Sequence, residues 1–93
     1  MPAYITVDFT PTDQDKLLEY GAAVPATLAK FSGEHLVKGP AETLLGDADF
    51  QMQVILVFPT RALASAWYGS PDYQALVTVR DAAMRSRFRL VGA

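Results

Sequence analysis

The sequence predicts an α+β protein with the element order βαββαβ, a four-stranded antiparallel sheet and helices on one face of that sheet. Segments near both ends alternate apolar and polar side chains, as half-buried strands do. Two interior segments repeat apolar side chains at helical spacing. Residues 54–58 form an unbroken apolar run, which indicates a strand covered on both faces. At 93 residues, the chain is expected to form one domain over residues 1–93.

The first strand is predicted over residues 3–9, where apolar and polar side chains alternate. One face would pack against the helices and the other would be left open. The helix-facing set is Ile5, Val7 and Phe9, and the other set is Tyr4, Thr6 and Asp8.

The first helix is predicted from near Asp13 to about Lys30. Thr12 and Asp15 resemble a capping box, in which the first side chain accepts a backbone N–H of the first turn. Pro25 interrupts the helical pattern, and an interior proline removes one backbone hydrogen bond. We therefore expect a kink or break near Val24.

The second strand is predicted over residues 34–38, with a bulge or turn at residues 39–40, a less regular continuation over 41–45 and a turn at 46–49. The third strand is predicted over residues 51–58. Its side chains on the open face would be Gln51, Gln53, Ile55 and Val57.

A short helix is predicted over residues 61–68, capped by Thr60, and a further helix begins at Pro71 with Ser70 as its N-cap. The last strand is predicted over residues 87–91. The apolar stripe of the final helix would carry Tyr73, Leu76, Val77, Arg80, Ala83 and Met84.

This element order is the ferredoxin-like arrangement, in which one sheet face carries no helix. The open face would be too apolar for water and too polar for an ordinary core. Pairing of two such faces resolves both constraints, so we expect a homodimer in which the sheet makes the main contact. A cavity for a small molecule is expected between sheet and helices.

Composition narrows the function classes. The chain has 51% hydrophobic residues, which argues against disorder. It has no cysteine, which excludes a disulfide scaffold, a thiolate metal site and a cysteine nucleophile. His35 is the only histidine, so no multi-histidine metal cluster can form within one chain, and neither a metal nor another cofactor is expected. A net charge of −2 disfavours a nucleic-acid partner. Without a signal peptide or an apolar run of about 18 residues, we expect a cytoplasmic protein with no membrane partner.

The chain has four distinctive segments, at residues 19–28, 32–39, 57–60 and 67–76, the last followed by Arg80. Together they resemble the domain-of-unknown-function family 1330, and the resemblance spans essentially the whole chain. The chain departs from the family at Phe31-Ser32-Gly33, where a double glycine is common, and at Gly39-Pro40, where a basic residue followed by two glycines is common.

The family belongs to the dimeric α/β-barrel superfamily, so the resemblance implies a ferredoxin-like protomer and a sheet-to-sheet dimer. It implies no activity, because the family has no agreed one. Other members of the superfamily carry out cofactor-independent isomerisation, decarboxylation or oxygenation.

His35 and Asp8 are the candidate catalytic residues. His35 is the only side chain whose ordinary pKa lies near neutrality, which suits a general acid or base. Asp8 could accept a proton or orient His35 if its face lines the cavity. The alternatives are a histidine that only forms hydrogen bonds and an aspartate that only caps a turn.

The candidate ligand-binding residues are Arg80 and three aromatic residues, Tyr4, Trp67 and Tyr73. A guanidinium on an apolar stripe needs an anion, because a buried unpaired charge is costly. That anion could be a ligand carboxylate or an internal acid. The aromatic residues could stack on a substrate or simply form the core. The internal acids that could pair with Arg80 are Asp8, Glu19 and Asp72.

Three arginines alternate at the end of the chain, at Arg85, Arg87 and Arg89. They are interpreted as a solvated strand edge that discourages aggregation, and not as a nucleic-acid footprint.

Two functions are compatible with the sequence. The first is binding of a small, partly apolar metabolite by a homodimer. The second is cofactor-independent catalysis, with His35 or Asp8 carrying protons and Arg80 holding an anion. A third interpretation is a purely structural protein that binds no ligand.

Overall fold

The computed structural model describes residues 1–93 and has the predicted order of strands and helices. The two long helical regions lie where the apolar spacing predicts them. The four strands are β1 (Ala3–Pro11), β2 (Glu34–Pro40), β3 (Met52–Phe58) and β4 (Met84–Gly92), and the four helices are α1 (Gln14–Ala29), α2 (Arg61–Gly69), α3 (Pro71–Gln74) and α4 (Val77–Ala83).

The strands form one antiparallel sheet in the order β2-β3-β1-β4, which is the ferredoxin-like arrangement and confirms the predicted fold class. The register also confirms the two faces predicted for β1. Ile5 is paired with Leu56 and Leu90, and all three point towards the helices. The opposite side is called the open face below. Its central residues are Tyr4, Thr6, Asp8, Gln53, Ile55, Val57 and Arg87.

Helix α1 differs from the prediction at its start and at its proline. The side chain of Asp13, not of Thr12, caps it by accepting the backbone N–H of Lys16 at 3.1 Å. Thr12 instead donates its hydroxyl to the carbonyl of Ala82, because its backbone is tied to the end of α4. The expected break near Val24 is wrong, since the helix runs unbroken past Pro25.

The bulge of β2 lies earlier than predicted. Pairing with β3 shifts between His35 and Val37, so Leu36 is the extra residue, while Gly39 and Pro40 pair regularly. Strand β2 ends at Pro40, and residues 41–51 form no strand. The bulge decides which side chains of β2 reach the helix-facing side.

The final helical region and the last strand also meet earlier than predicted. The region splits into α3 and α4, and Met84, expected on a helix, is the first residue of β4. Its backbone is extended, with φ −160° and ψ 154°, and it pairs with Pro11 of β1. Pairing with β1 therefore ends the helix before the apolar stripe does.

The core lies between the sheet and the helices. Its largest fully buried side chains are Trp67, Tyr73, Phe58 and Leu28. The Trp67 and Tyr73 rings pack with centroids 4.2 Å apart, so α2 and α3 share one aromatic contact. No helix has the length and apolar character needed to cross a membrane.

Candidate functional site

A cavity lies between α1 and the helix-facing side of the sheet. Its interior volume is about 70 Å³, within a recess of about 520 Å³ when the open mouth is included. Of 13 lining residues, 10 are hydrophobic. The wall is therefore apolar, as expected of a site that takes an apolar group. The hydrophobic lining residues include Val7, Phe9, Leu17, Val24, Val54 and Phe88.

Helix α1 covers the cavity because its apolar side chains repeat at helical spacing. Leu17, Tyr20 and Val24 lie on one side of the helix and face the sheet. Gly21 also lines the cavity, and a Cβ added there would meet nothing within 4 Å. A glycine within this helix thus leaves space above the sheet.

The mouth of the cavity carries two exposed polar side chains of β2, His35 and Lys38. Residues three apart on a regular strand point to opposite faces. Here the bulge at Leu36 adds one residue between them, so His35 pairs with Leu56 and Lys38 with Val54 on the same, helix-facing side. The bulge therefore brings both side chains to one opening.

Burial at the mouth lowers the pKa of His35 below its ordinary value of 6.5, and the nearby charge of Lys38 lowers it further. The imidazole is therefore neutral at pH 7. A neutral imidazole has one nitrogen free to accept a proton or a hydrogen bond.

The buried end of the cavity leads into a set of hydrogen-bonded tyrosines. The hydroxyls of Tyr20 and Tyr73 lie 2.8 Å apart, and burial raises the pKa of both phenols, so they stay protonated. Arg80 donates from Nη1 to the hydroxyls of Tyr68 at 3.0 Å and Tyr73 at 3.3 Å. Because Tyr73 accepts from Arg80, its own hydrogen can be donated to Tyr20.

Trp67 closes the cavity between α1 and α2. Its indole N–H donates to Thr27 Oγ1 at 3.0 Å, and the Thr27 hydroxyl donates to the Val24 carbonyl at 2.7 Å. No buried side-chain nitrogen or oxygen of residues 1–93 lacks a hydrogen-bond partner. The polar groups behind the cavity wall are thus already satisfied within the chain.

The family model described as "Domain of unknown function (DUF1330)" matches residues 2–93. The chain belongs to the DUF1330 family. A search of curated proteins found no match to this DUF1330 chain.

Solved structures similar to this DUF1330 chain share its fold at low sequence identity. A protein of unknown function from Rhodopseudomonas palustris is 19% identical with a TM-score of 0.79, covering 99% of this chain and 82% of its own. A dimeric ferredoxin-like protein of unknown function from Jannaschia sp. CCS1 is 15% identical with a TM-score of 0.73, covering 100% of both chains. SnoaB from Streptomyces nogalater, a cofactor-independent oxygenase, is 17% identical with a TM-score of 0.71, covering 99% of this chain and 92% of its own.

Only part of the predicted site comes together in this DUF1330 chain. His35 and Trp67 line the cavity, and Tyr73 lies directly behind it against Trp67. Arg80 does not line it and reaches Tyr20 only through the hydroxyl of Tyr73. The aromatic residues around α2 and α3 belong to the core.

Asp8 and Tyr4 lie on the open face, on the other side of the sheet from His35. The prediction that Asp8 orients His35 is therefore wrong within one chain. Asp8 instead accepts from Gln53 Nε2 at 2.8 Å and from Arg87 Nη2 at 2.8 Å. Arg87 is thus an ion-pair partner, and not only a solvated edge residue.

The acid beside Arg80 is also not one of those predicted. Its Nε donates to Asp81 at 3.0 Å, while Asp72 pairs with Lys30 and Asp8 with Arg87. Although burial alone lowers the pKa of Arg80, its hydrogen bonds to Tyr73, Tyr68 and Asp81 raise it, so the guanidinium stays charged. The Arg80 guanidinium, which was expected to hold a ligand anion, is therefore bonded to partners within the chain.

Lys38 and Tyr20 belong to the site although neither was predicted there. The strand alternation alone places Lys38 on the face opposite His35, and nothing in the residue types around Leu36 marks a bulge there. Tyr20 lies on the apolar stripe of α1, where a tyrosine hydroxyl needs a polar partner once buried. That requirement was the available signal for the hydroxyl pair.

Proposed function

We propose that this chain binds a small, partly apolar molecule in the cavity between α1 and the sheet. The observation that carries the proposal is an apolar recess that opens beside His35 and Lys38. Apolar cavities that hold no water are known to take up small apolar ligands. All buried polar groups behind the wall are satisfied, so the binding energy would come from apolar contact.

The test compares the natural chain with a variant whose cavity is filled. Val54→Phe adds a ring to a side chain on the cavity wall, at a position fixed by the sheet. Leu18→Phe is the matched control, because Leu18 is 72% exposed on α1 and does not line the cavity. Hexanamide, an uncharged molecule with a short alkyl tail, is the probe, and its binding is followed by NMR chemical-shift changes and thermal stability.

The expected result is saturable shifts at cavity residues in the natural chain and in Leu18→Phe, and none in folded Val54→Phe. A ligand that binds only the native state also raises the melting temperature. Equal shifts in the natural chain and in Val54→Phe would contradict a cavity site. Shifts in none of the three proteins would remove the proposal.

We also propose that the chain forms a homodimer through its open face. Ile55, Val57 and Tyr4 are half-buried there although no helix covers them. The structural neighbour from Jannaschia sp. CCS1 is itself a dimeric ferredoxin-like protein. Such a semi-apolar sheet face suits pairing with an identical face about a two-fold axis.

Light scattering tests the dimer. The natural chain should give twice its 10.1 kDa mass, whereas Ile55→Arg, which places a charge at the centre of the open face, should give 10.1 kDa. Leu18→Arg, on an exposed position of α1, should stay dimeric. A natural chain with the mass of a monomer at micromolar concentration would contradict this proposal.

A second candidate function is cofactor-independent catalysis with His35 as the proton acceptor. It is favoured by the lowered pKa of His35 at the cavity mouth and by the fold shared with SnoaB, a cofactor-independent oxygenase. Asp8 and Arg80 do not line this cavity, so His35 would carry the proton alone. The test is exchange of deuterium from solvent into an acidic C–H of a small β-diketone.

Exchange catalysed by the natural chain and lost in His35→Gln would support catalysis. Lys16→Met, a change at an exposed lysine of α1, should leave the exchange rate unaltered. If the natural chain accelerates exchange no more than His35→Gln does, the enzyme hypothesis fails and binding remains.

A further inference from the structure

We propose that the ligand of the cavity is a small amphipathic carboxylate, with its apolar tail in the cavity and its carboxylate at the ammonium group of Lys38. This inference rests on the proposed binding function and adds the chemical class of the ligand. It follows from the charge and position of Lys38, from the absence of a partner for its ammonium group within the chain, and from the size of the cavity.

Lys38 is the only charged residue that lines the cavity, and no acidic residue lines it. The other polar side chain at the mouth, His35, is neutral at pH 7 because burial lowers its pKa. The lining of the opening therefore carries one charge, which is positive. An anionic group of a ligand gains from that charge, and a cationic group is repelled.

The ammonium group of Lys38 has no partner within the chain. Lys30 pairs with Asp72, Arg87 with Asp8 and Arg80 with Asp81, whereas Lys38 forms no ion pair and no side-chain hydrogen bond. Its acidic neighbour on β2, Glu34, pairs with Val57 on the open face of the sheet. Three ammonium donors are thus available to a ligand at the mouth.

The β-bulge gives this placement a structural cause. Without the extra residue at Leu36, the alternation of β2 would send Lys38 and His35 to opposite faces. Bulges of this kind commonly re-aim a side chain beside a site. Here the bulge moves a charge from the open face to the mouth of an apolar recess.

The dimensions limit the tail. The interior volume of about 70 Å³ is smaller than the cavity of about 150 Å³ that holds benzene in an engineered protein. A short alkyl or branched chain fits this volume better than a fused ring does. The mouth is open to solvent, which leaves room for the head group.

A single free ammonium beside a neutral imidazole suits a monoanion. Phosphate groups are usually held by several donors, such as a bidentate guanidinium or a row of backbone N–H groups, and Arg80 is already occupied by Tyr68, Tyr73 and Asp81. A carboxylate needs fewer donors. The geometry therefore favours a carboxylate over a phosphate ester.

The experiment measures the affinities of hexanoate, hexanamide and hexyl phosphate by calorimetry at pH 7.5. Hexanoate and hexanamide have the same tail and nearly the same shape, so their difference reports the charge. The proteins are the natural chain, Lys38→Met, Lys38→Arg and the control Lys16→Met, which removes an exposed lysine of α1 that does not line the cavity.

In the natural chain hexanoate should bind roughly five-fold more tightly than hexanamide, as one partly exposed ion pair allows. Lys38→Met should abolish this preference and leave hexanamide affinity unchanged, whereas Lys38→Arg and Lys16→Met should retain it. Unchanged hexanamide binding also shows that Lys38→Met is folded with its cavity intact.

Equal affinity for hexanoate and hexanamide in the natural chain would overturn the carboxylate inference and leave the proposed binding function standing. The carboxylate inference would also be overturned if Lys38→Met kept the preference for hexanoate over hexanamide, or if hexyl phosphate bound more tightly than hexanoate. If neither hexanoate nor hexanamide binds, the proposed function itself fails.

Discussion

The two faces of the sheet satisfy their polar groups in different ways. On the helix-facing side, the buried polar side chains are few and hydrogen-bond to one another, as Tyr20 does to Tyr73 and Trp67 to Thr27. On the open face, the Asp8 carboxylate accepts hydrogen bonds from Gln53 and Arg87 across three strands, and these side chains remain partly accessible.

That difference distinguishes a packed core on the helix-facing side from a surface that no helix covers on the open face. The helix-facing side contains the cavity under α1, and the two polar side chains at the mouth of that cavity are unpaired. The open face carries half-buried apolar residues that no helix covers. The two proposed functions, ligand binding and self-association, therefore fall on opposite faces.

The largest expected effect is the loss of a fully buried aromatic residue from the helix-facing side. Trp67→Ala removes an indole with 0% exposure and its hydrogen bond to Thr27, so it should destabilise the fold by about 3–5 kcal/mol. Tyr4→Ala, on the open face, should cost less in the monomeric variant Ile55→Arg. Urea unfolding measures both. Similar losses at the two positions would contradict the distinction between the faces.

Two glycines test how closely the helix-facing layer is packed. A Cβ at Gly33 would lie 2.4 Å from Phe58 Cε2, so Gly33→Ala should destabilise by about 1–3 kcal/mol. A Cβ at Gly21 would meet nothing within 4 Å, so Gly21→Ala should stabilise by about 0.5–1 kcal/mol through helix propensity. Thermal unfolding checks both signs. A destabilised Gly21→Ala would show that the space beside α1 is filled.

The ion pair on the open face should contribute less than the buried aromatic residues. Asp8→Asn removes the charge that Arg87 contacts at 2.8 Å, and Arg87 is 51% exposed, so solvent screens the pair. We expect a loss of about 0.5–1 kcal/mol in the Ile55→Arg background. Lys30→Met, which removes a pair with both side chains well exposed, is the control and should cost less. Denaturant unfolding in low and high salt separates the charge effect from other losses.

The smallest expected effect concerns the titration of His35. Its NMR titration should give a pKa below 6.5, and Lys38→Met should raise that pKa without fully restoring it, because burial is the larger cause. A folded pKa below the unfolded one means that the unfolded state binds more protons in that window. Stability therefore falls slightly as pH drops from 6.5 through the folded pKa. An unchanged His35 pKa in Lys38→Met would place Lys38 away from His35.

Much of the fold followed from local patterns. Alternation in residues 3–9 correctly assigned Ile5 and Val7 to the helices and Tyr4 and Thr6 to the open face, because a strand turns successive side chains to opposite sides. Ser70 caps α3, as predicted, by accepting the N–H of Tyr73. These features depend on neighbours within a few residues.

Less of the candidate site could be predicted. His35 was predicted as a catalytic residue and Trp67 as a ligand-binding residue, and both line the cavity. Lys38 was missed because a one-residue shift in pairing between β2 and β3 leaves no mark in the residue types. The pairing of Arg80 with Asp81 was missed because several acids lay within plausible reach of its long side chain.

By itself the sequence determined the class of fold, the order of its elements and the two faces of β1, since backbone periodicity and capping are local. Only the tertiary structure decided that α1 continues through Pro25, that Met84 leaves the helix to pair with Pro11, and that the β2 bulge brings Lys38 beside His35. Each of these depends on contacts between segments distant along the chain, whose energies outweigh local preference.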